Sequence, residues 1–151
     1  MKLSTKGRYG LRAMVDLASF CEEAPVSISS ISARQDLSVT YLEQLLAKLR
    51  KAGLVQSIRG AQGGYVLTKE ASQISVGEIL RALEGDLAPV NCAELSKDER
   101  SCSGSKYCVT KLVWQRINDS IESTVNNMWL SELVEDSRKI ENQTFVRECE
   151  N

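Results

Sequence analysis

The chain has 151 residues, 42% of them hydrophobic and 26% charged, with a formal net charge of −1 and no histidine. That balance suits one ordinary domain with an added element and excludes a disordered tail, and no run of about 18 apolar residues is present to span a membrane. The start, MKLSTKGRYG, has cations with no apolar stretch behind them, so a cytoplasmic protein is expected, whose five thiols serve metal or redox chemistry, or burial, rather than a disulfide framework.

Charge is unevenly spread. Residues 1–70 carry ten Lys and Arg against six Asp and Glu, whereas residues 71–151 carry nine against fourteen. A basic first half suits a polyanionic partner.

Leu11, Met14, Val15, Leu17 and Ala18 fall at helical spacing, which predicts a first helix over Arg8 to Cys21. Pro25 and its polar neighbours end it, and Ser27 is placed to cap a short helix, ISSISARQD, ending near Leu37. Ser38 caps a third helix. It carries Tyr41, Leu42, Leu45, Leu46 and Leu49 inward, leaves Thr40, Glu43, Gln44, Lys48 and Lys51 outside, and stops at Gly53. LVQSIRGAQGGYVLT then reads as a β-hairpin with a glycine-rich tip, over about 54–67. A fourth helix opens near Ser75 and closes at Gly85, and a polar loop over 86–107 follows. Val109, Val113, Ile117, Ile121, Val125 and Met128 recur about every four residues, which marks a long amphipathic helix whose steps drift away from a heptad seam. SELVEDSRKI reads as one more short helix, and 140–151 as a flexible tail.

The expected fold is mainly α with a small β-hairpin: a winged helix-turn-helix domain over 1–85, plus a long C-terminal dimerisation helix and short terminal helix over 108–139. In such a domain the recognition helix, here about 38–52, enters the major groove of double-stranded DNA and the hairpin reaches the neighbouring backbone or minor groove. Arg59 beside Gly60, Gly63 and Gly64 offers a cation to a narrow groove without side-chain bulk around it. Gln44 suits adenine, and Ser38 or Thr40 can donate to phosphate or base edges. Glu43 either accepts from cytosine N4 and rejects wrong sites, or is a solvated carboxylate paired with Lys48 or Lys51. Tyr41, Lys48, Gly63 and Gly64 complete the expected DNA-facing set. The apolar stripe of the long helix is too extensive to leave in water, so a homodimer on a pseudo-palindromic operator is expected.

Three cysteines follow the pattern Cys92-x9-Cys102-x5-Cys108. The close thiol pairs of structural zinc sites are absent. Soft thiolates in a loop suit an iron–sulfur cluster; ordinary or redox-active cysteines remain the alternative. With no histidine base, no nucleophile–base motif and no cofactor loop, an enzyme is not expected.

MKLSTKGRYGLRAM, LSVTYLEQLLAKLRKAGLV and SIRGAQGGYVLT resemble the matching segments of the iron–sulfur cluster regulator family, dimeric winged-helix repressors with IscR-like, NsrR-like and CymR-like branches. The similarity covers residues 1 to about 133. It implies that Ser38, Thr40, Glu43 and Gln44 approach bases and that Arg59 enters the minor groove. It further implies that Cys92, Cys102 and Cys108 match the trio holding a cluster in IscR-like members, with [2Fe-2S] favoured over [4Fe-4S]. CymR-like members lack that trio. IscR-like members place a histidine three residues past the last cysteine, where this chain has Lys111, and a protonated lysine has no lone pair to donate. The fourth ligand is therefore open among Glu94, Asp98, Glu99, a carboxylate of a partner subunit, Cys21, Cys149, water or a small thiol. NsrR-like members use an acid near the N-terminus, where this chain has Arg8 and Tyr9. The implied function is a regulator, most simply a repressor, of iron–sulfur biogenesis genes. A nitric-oxide or redox sensor of the same fold is the nearest rival, a non-cluster regulator of cysteine metabolism the next, and an interaction module without DNA binding the last.

Overall fold

A computed structural model describes residues 3–91 and 108–149. Cys92, Cys102 and the rest of 92–107, on which part of the cysteine reading falls, lie outside the described residues.

Helix α1 spans Thr5–Phe20 and starts where the Ser4 hydroxyl oxygen accepts the Lys6 amide. That cap, absent from a reading based on apolar spacing, moves the start three residues ahead of Arg8. Helix α2, Ile28–Gln35, is capped by Ser27 and closes on Asp36 in the left-handed region. Helix α3, Val39–Lys51, is capped by Ser38. Gly53, with φ +76°, turns the chain into strand β1, Val55–Ile58. Strand β2, Gly64–Leu67, returns antiparallel, with pairs running from Val55–Leu67 to Ile58–Gly64. Val26, just ahead of α2, exchanges backbone hydrogen bonds with Tyr65 at 3.0 and 2.8 Å, so the hairpin is pinned to the helix-turn-helix.

A short 3-10 turn, Ala71–Gln73, leads to α4, Val76–Glu84. Ser75 and Glu78 form a full capping box there, a signature visible as SVGE in the sequence. Helices α5, Thr110–Asn126, and α6, Leu130–Cys149, complete the described chain.

The core comprises Met14 and Leu17 of α1, Ile31 of α2, Leu42, Leu45, Leu46 and Leu49 of α3, and Ile79 and Leu83 of α4, all at most 1% exposed. Each buried side chain of this size contributes about 1.5–3 kcal/mol. The leucine spacing of α3 thus dictates which face is left for a ligand. Asp16, 4% exposed, accepts two hydrogen bonds from the Arg34 guanidinium and one from Gln35 Nε2, tying α1 to α2.

The C-terminal part differs from expectation in two ways. Leu130 and Val134 of α6 are buried in the same core as α1, and the Leu130 amide donates to the Ile74 carbonyl at 2.9 Å. The winged-helix core is therefore not closed within 1–85. The terminal helix also runs through Cys149 instead of ending near Ile140. ENQTFVREC contains no Gly or Pro and several good helix formers, so the helix continues into the stretch that the sequence reading takes as a flexible tail.

Candidate nucleic-acid interface

With its leucines committed to the core, α3 exposes Ser38, Thr40, Glu43 and Gln44. The Ser38 oxygen accepts the Tyr41 amide at 3.2 Å, which leaves its O–H free to donate. Tyr41 is half-buried. Its ring meets Tyr9 edge-on at 6.2 Å, and its hydroxyl lies 3.3 Å from Thr5 Oγ1. It thus fixes the first turn of α3 against the start of α1. Glu43 has no ion-pair partner among the described residues, so the pairing with Lys48 or Lys51 is not formed. Lys48 points its ammonium elsewhere, donating to the Leu83 carbonyl at 3.0 Å.

Arg59 stands exposed at the wing tip, just past the last strand pair. The glycines beside it serve the wing itself. A Cβ on Gly63 would collide with the Ile58 carbonyl, and one on Gly64 with the Val26 backbone. They allow the tight tip and its seat against α2.

Two groups that sequence reasoning missed hold this surface. The Glu84 carboxylate accepts from the Ser4 amide at 3.0 Å, the Ser4 hydroxyl at 2.7 Å and the Gly7 amide at 2.8 Å, so it caps the N-terminus of α1 from 77 or more residues away. Partial burial pushes its pKa up, but the Ser4 hydroxyl and the two amides outweigh that and hold it below the usual carboxylate range. Arg81 bonds Glu122 at 2.9 Å and Asn126 at 2.6 Å, joining α4 to α5. No local pattern announces contacts at such separations. The Ser75 box alone could have been read.

Cys108 is exposed immediately ahead of α5. Its Sγ lies 3.0 Å from Thr110 Oγ1. The Thr110 hydroxyl, with the Lys111 amide behind it, pulls the thiol below its ordinary pKa, towards the thiolate that binds soft metals. Cys21 is half-buried at the end of α1. Among the described residues, no three Cys, Asp or Glu side chains are grouped closely enough to hold a metal ion. From Cys108 onward, α5 has no buried residue, and Val109, Leu112 and Val113 are 75%, 62% and 50% exposed.

The Rrf2 family model, described as an iron-dependent transcriptional regulator, matches residues 3–136. The chain belongs to the Rrf2 family. It is a DNA-binding transcriptional regulator and not an enzyme. The HTH-type transcriptional regulator IscR of Serratia proteamaculans (strain 568) is 42% identical over 134 residues, covering 89% of this chain and 79% of that protein. Among solved structures, T. potens IscR is 47% identical with a TM-score of 0.72, covering 91% of this chain and 88% of its own. CymR, the global cysteine regulator of B. subtilis, is 43% identical with a TM-score of 0.72, covering 89% and 97%. The winged helix-turn-helix expected for this Rrf2 protein is thereby established. No described helix is long and apolar enough to cross a membrane.

Proposed function

We propose that this Rrf2 protein is an IscR-type regulator. In this reading it is a homodimeric repressor of iron–sulfur biogenesis genes that binds a pseudo-palindromic operator according to whether Cys92, Cys102 and Cys108 hold an iron–sulfur cluster. The observation that carries the reading is Cys108: an exposed thiol immediately ahead of α5, a helix whose first turns leave Val109, Leu112 and Val113 half or more exposed. That donor chemistry fits a soft, iron-bearing group, and [2Fe-2S] is favoured over [4Fe-4S]. Bound there, the cluster supplies a centre sensitive to oxidation and ligand exchange. Lys111 leaves the fourth ligand to a carboxylate, a further thiol or a solvent molecule.

The chain's own residues do the reading. Gln44 and Glu43 address base edges in the major groove, Ser38 and Thr40 donate to bases or phosphates, and Arg59 enters the minor groove. The exposed stripe of Val109, Leu112, Val113 and Ile117 supports a second copy packed along α5, which sets the spacing of two α3 helices.

Purification without oxygen tests the cluster directly. Wild-type protein is expected to be coloured and to carry iron and sulfide, and Cys92→Ala, Cys102→Ala and Cys108→Ala are each expected to bleach it. Colourless, iron-free wild type would favour the second reading, supported by the equal structural likeness to CymR: a regulator in which these thiols hold no metal.

A further inference from the structure

We propose that α4 couples α5 to the recognition helix, and that Arg81 and Lys48 are positioning residues at its two joints, touching neither DNA nor metal. The inference rests on the reading of α3 as the DNA-reading helix and of α5 as the helix headed by a cluster ligand.

At the first joint, the Arg81 guanidinium donates to Glu122 Oε2 at 2.9 Å and to Asn126 Oδ1 at 2.6 Å, while Asn126 Nδ2 donates to Glu122 at 3.1 Å. Gly77, one turn earlier, lets α5 approach: a Cβ there would run into the Asn126 side chain and lie 3.1 Å from Val125 Cγ2. Ile121 and Val125 pack against Val76 and Leu80 of α4. Beyond α5, the corner before α6 is tied to the same helix, because the Val76 amide donates to the Met128 carbonyl at 2.8 Å. Among the described residues, α4 thus grips the C-terminal half of α5 by side-chain bonds, apolar packing and the corner that follows it.

At the second joint, Lys48 of α3 donates to the Leu83 carbonyl in the last turn of α4. Carbonyls there lack intrahelical partners, and the helix dipole favours a cation. Leu83 is 1% exposed and packs against Gly10 of α1, and Glu84 clamps Ser4 and Gly7. Arg81 and Leu83 are within one helical turn. A displacement of α5 transmitted to Arg81 therefore reaches, inside that turn, the carbonyl that holds α3. Lys48 lies one turn beyond Gln44, so moving its anchor tilts the base-reading face. The Arg81–Glu122 pair is about one-third exposed and adds little to stability; its effect is on orientation.

The test measures operator affinity by fluorescence anisotropy across a salt series for wild type, Lys48→Met, Arg81→Met and the double variant, in cluster-loaded and stripped protein. Lys48→Arg serves as the conservative control. A lysine bound to phosphate lowers the slope of log affinity against log salt by about one when it is removed. Positioning predicts instead that Lys48→Met weakens binding with the slope unchanged, that Lys48→Arg restores it, and that the double variant is no worse than the weaker single variant, since both lie on one path. The affinity ratio between loaded and stripped protein is expected to shrink by about fivefold or more in each single variant. A slope reduced by one in Lys48→Met, or additive effects in the double variant, would overturn the proposal. Should wild type bind equally in both forms, the cluster-sensing reading fails by itself, while slope and additivity in the stripped protein still decide the role of Lys48 and Arg81.

Discussion

Gln44 on α3 and Arg59 on the wing are both exposed, and in the proposed function they belong to the two halves of the reading surface, so removing each probes a different kind of contact. Gln44→Ala is expected to cost about 1–3 kcal/mol on the operator and to relax discrimination at one base pair, leaving the salt dependence intact. Arg59→Ala is expected to weaken binding and to reduce the salt slope by about one, because a cation in the minor groove releases counterions. Titrations against operator and single-base variants measure both. A Gln44→Ala protein that discriminates as well as wild type would remove α3 from base reading. Glu84 gives a pH signature. Its folded pKa is depressed, so its contribution is present above the unfolded value of about 4.3 and is lost as pH falls through the lower folded value. Thermal unfolding should show Glu84→Gln less stable than wild type near neutrality, with the gap closing in acid. A gap that stayed constant down to about pH 3 would contradict that origin.

The helices divide by how local their determinants are. Four leucines at helical spacing and a serine cap announce α3, and alternating residues around RGAQGG announce the wing; structure and sequence agree there because packing and turn chemistry are both local. The exposed residues Ser38, Thr40, Glu43, Gln44 and Arg59 were readable for the same reason: knowing which face is buried leaves the other. Helix α6 was harder, since its burial at Leu130 and Val134 depends on a docking against α1 that no short window contains. Glu84 on the Ser4 amide and Lys48 on the Leu83 carbonyl were invisible for a like reason, being bonds between charged groups and backbone far away in sequence. Helix α5 was legible as amphipathic, and its lack of any buried residue sharpens the inference of a second copy. Ile117→Asp or Val113→Asp should convert a dimer into monomers in sedimentation experiments, with operator affinity falling by about tenfold or more as the paired half-site contacts are lost. Unchanged sedimentation would mean that α5 is covered by something other than its copy.

Taken together, the molecule is a DNA-reading unit whose supporting helix α4 also holds α5, the helix that follows Cys108. Under the proposed function, that connectivity would let metal status bias the pose of α3 and Arg59, as a ligand biases any two-state equilibrium by binding its states unequally. The central claim is that thiolate-held iron alters how the dimer meets its operator. The most direct measurement is operator affinity of one oxygen-free preparation before and after cluster removal, with iron and sulfide counted alongside. The account predicts iron-loaded, coloured protein whose affinity or site preference changes by about tenfold or more on stripping, and a Cys108→Ala protein that behaves like the stripped form throughout. Protein that is colourless and iron-free as isolated, or that binds identically in both states, would contradict it.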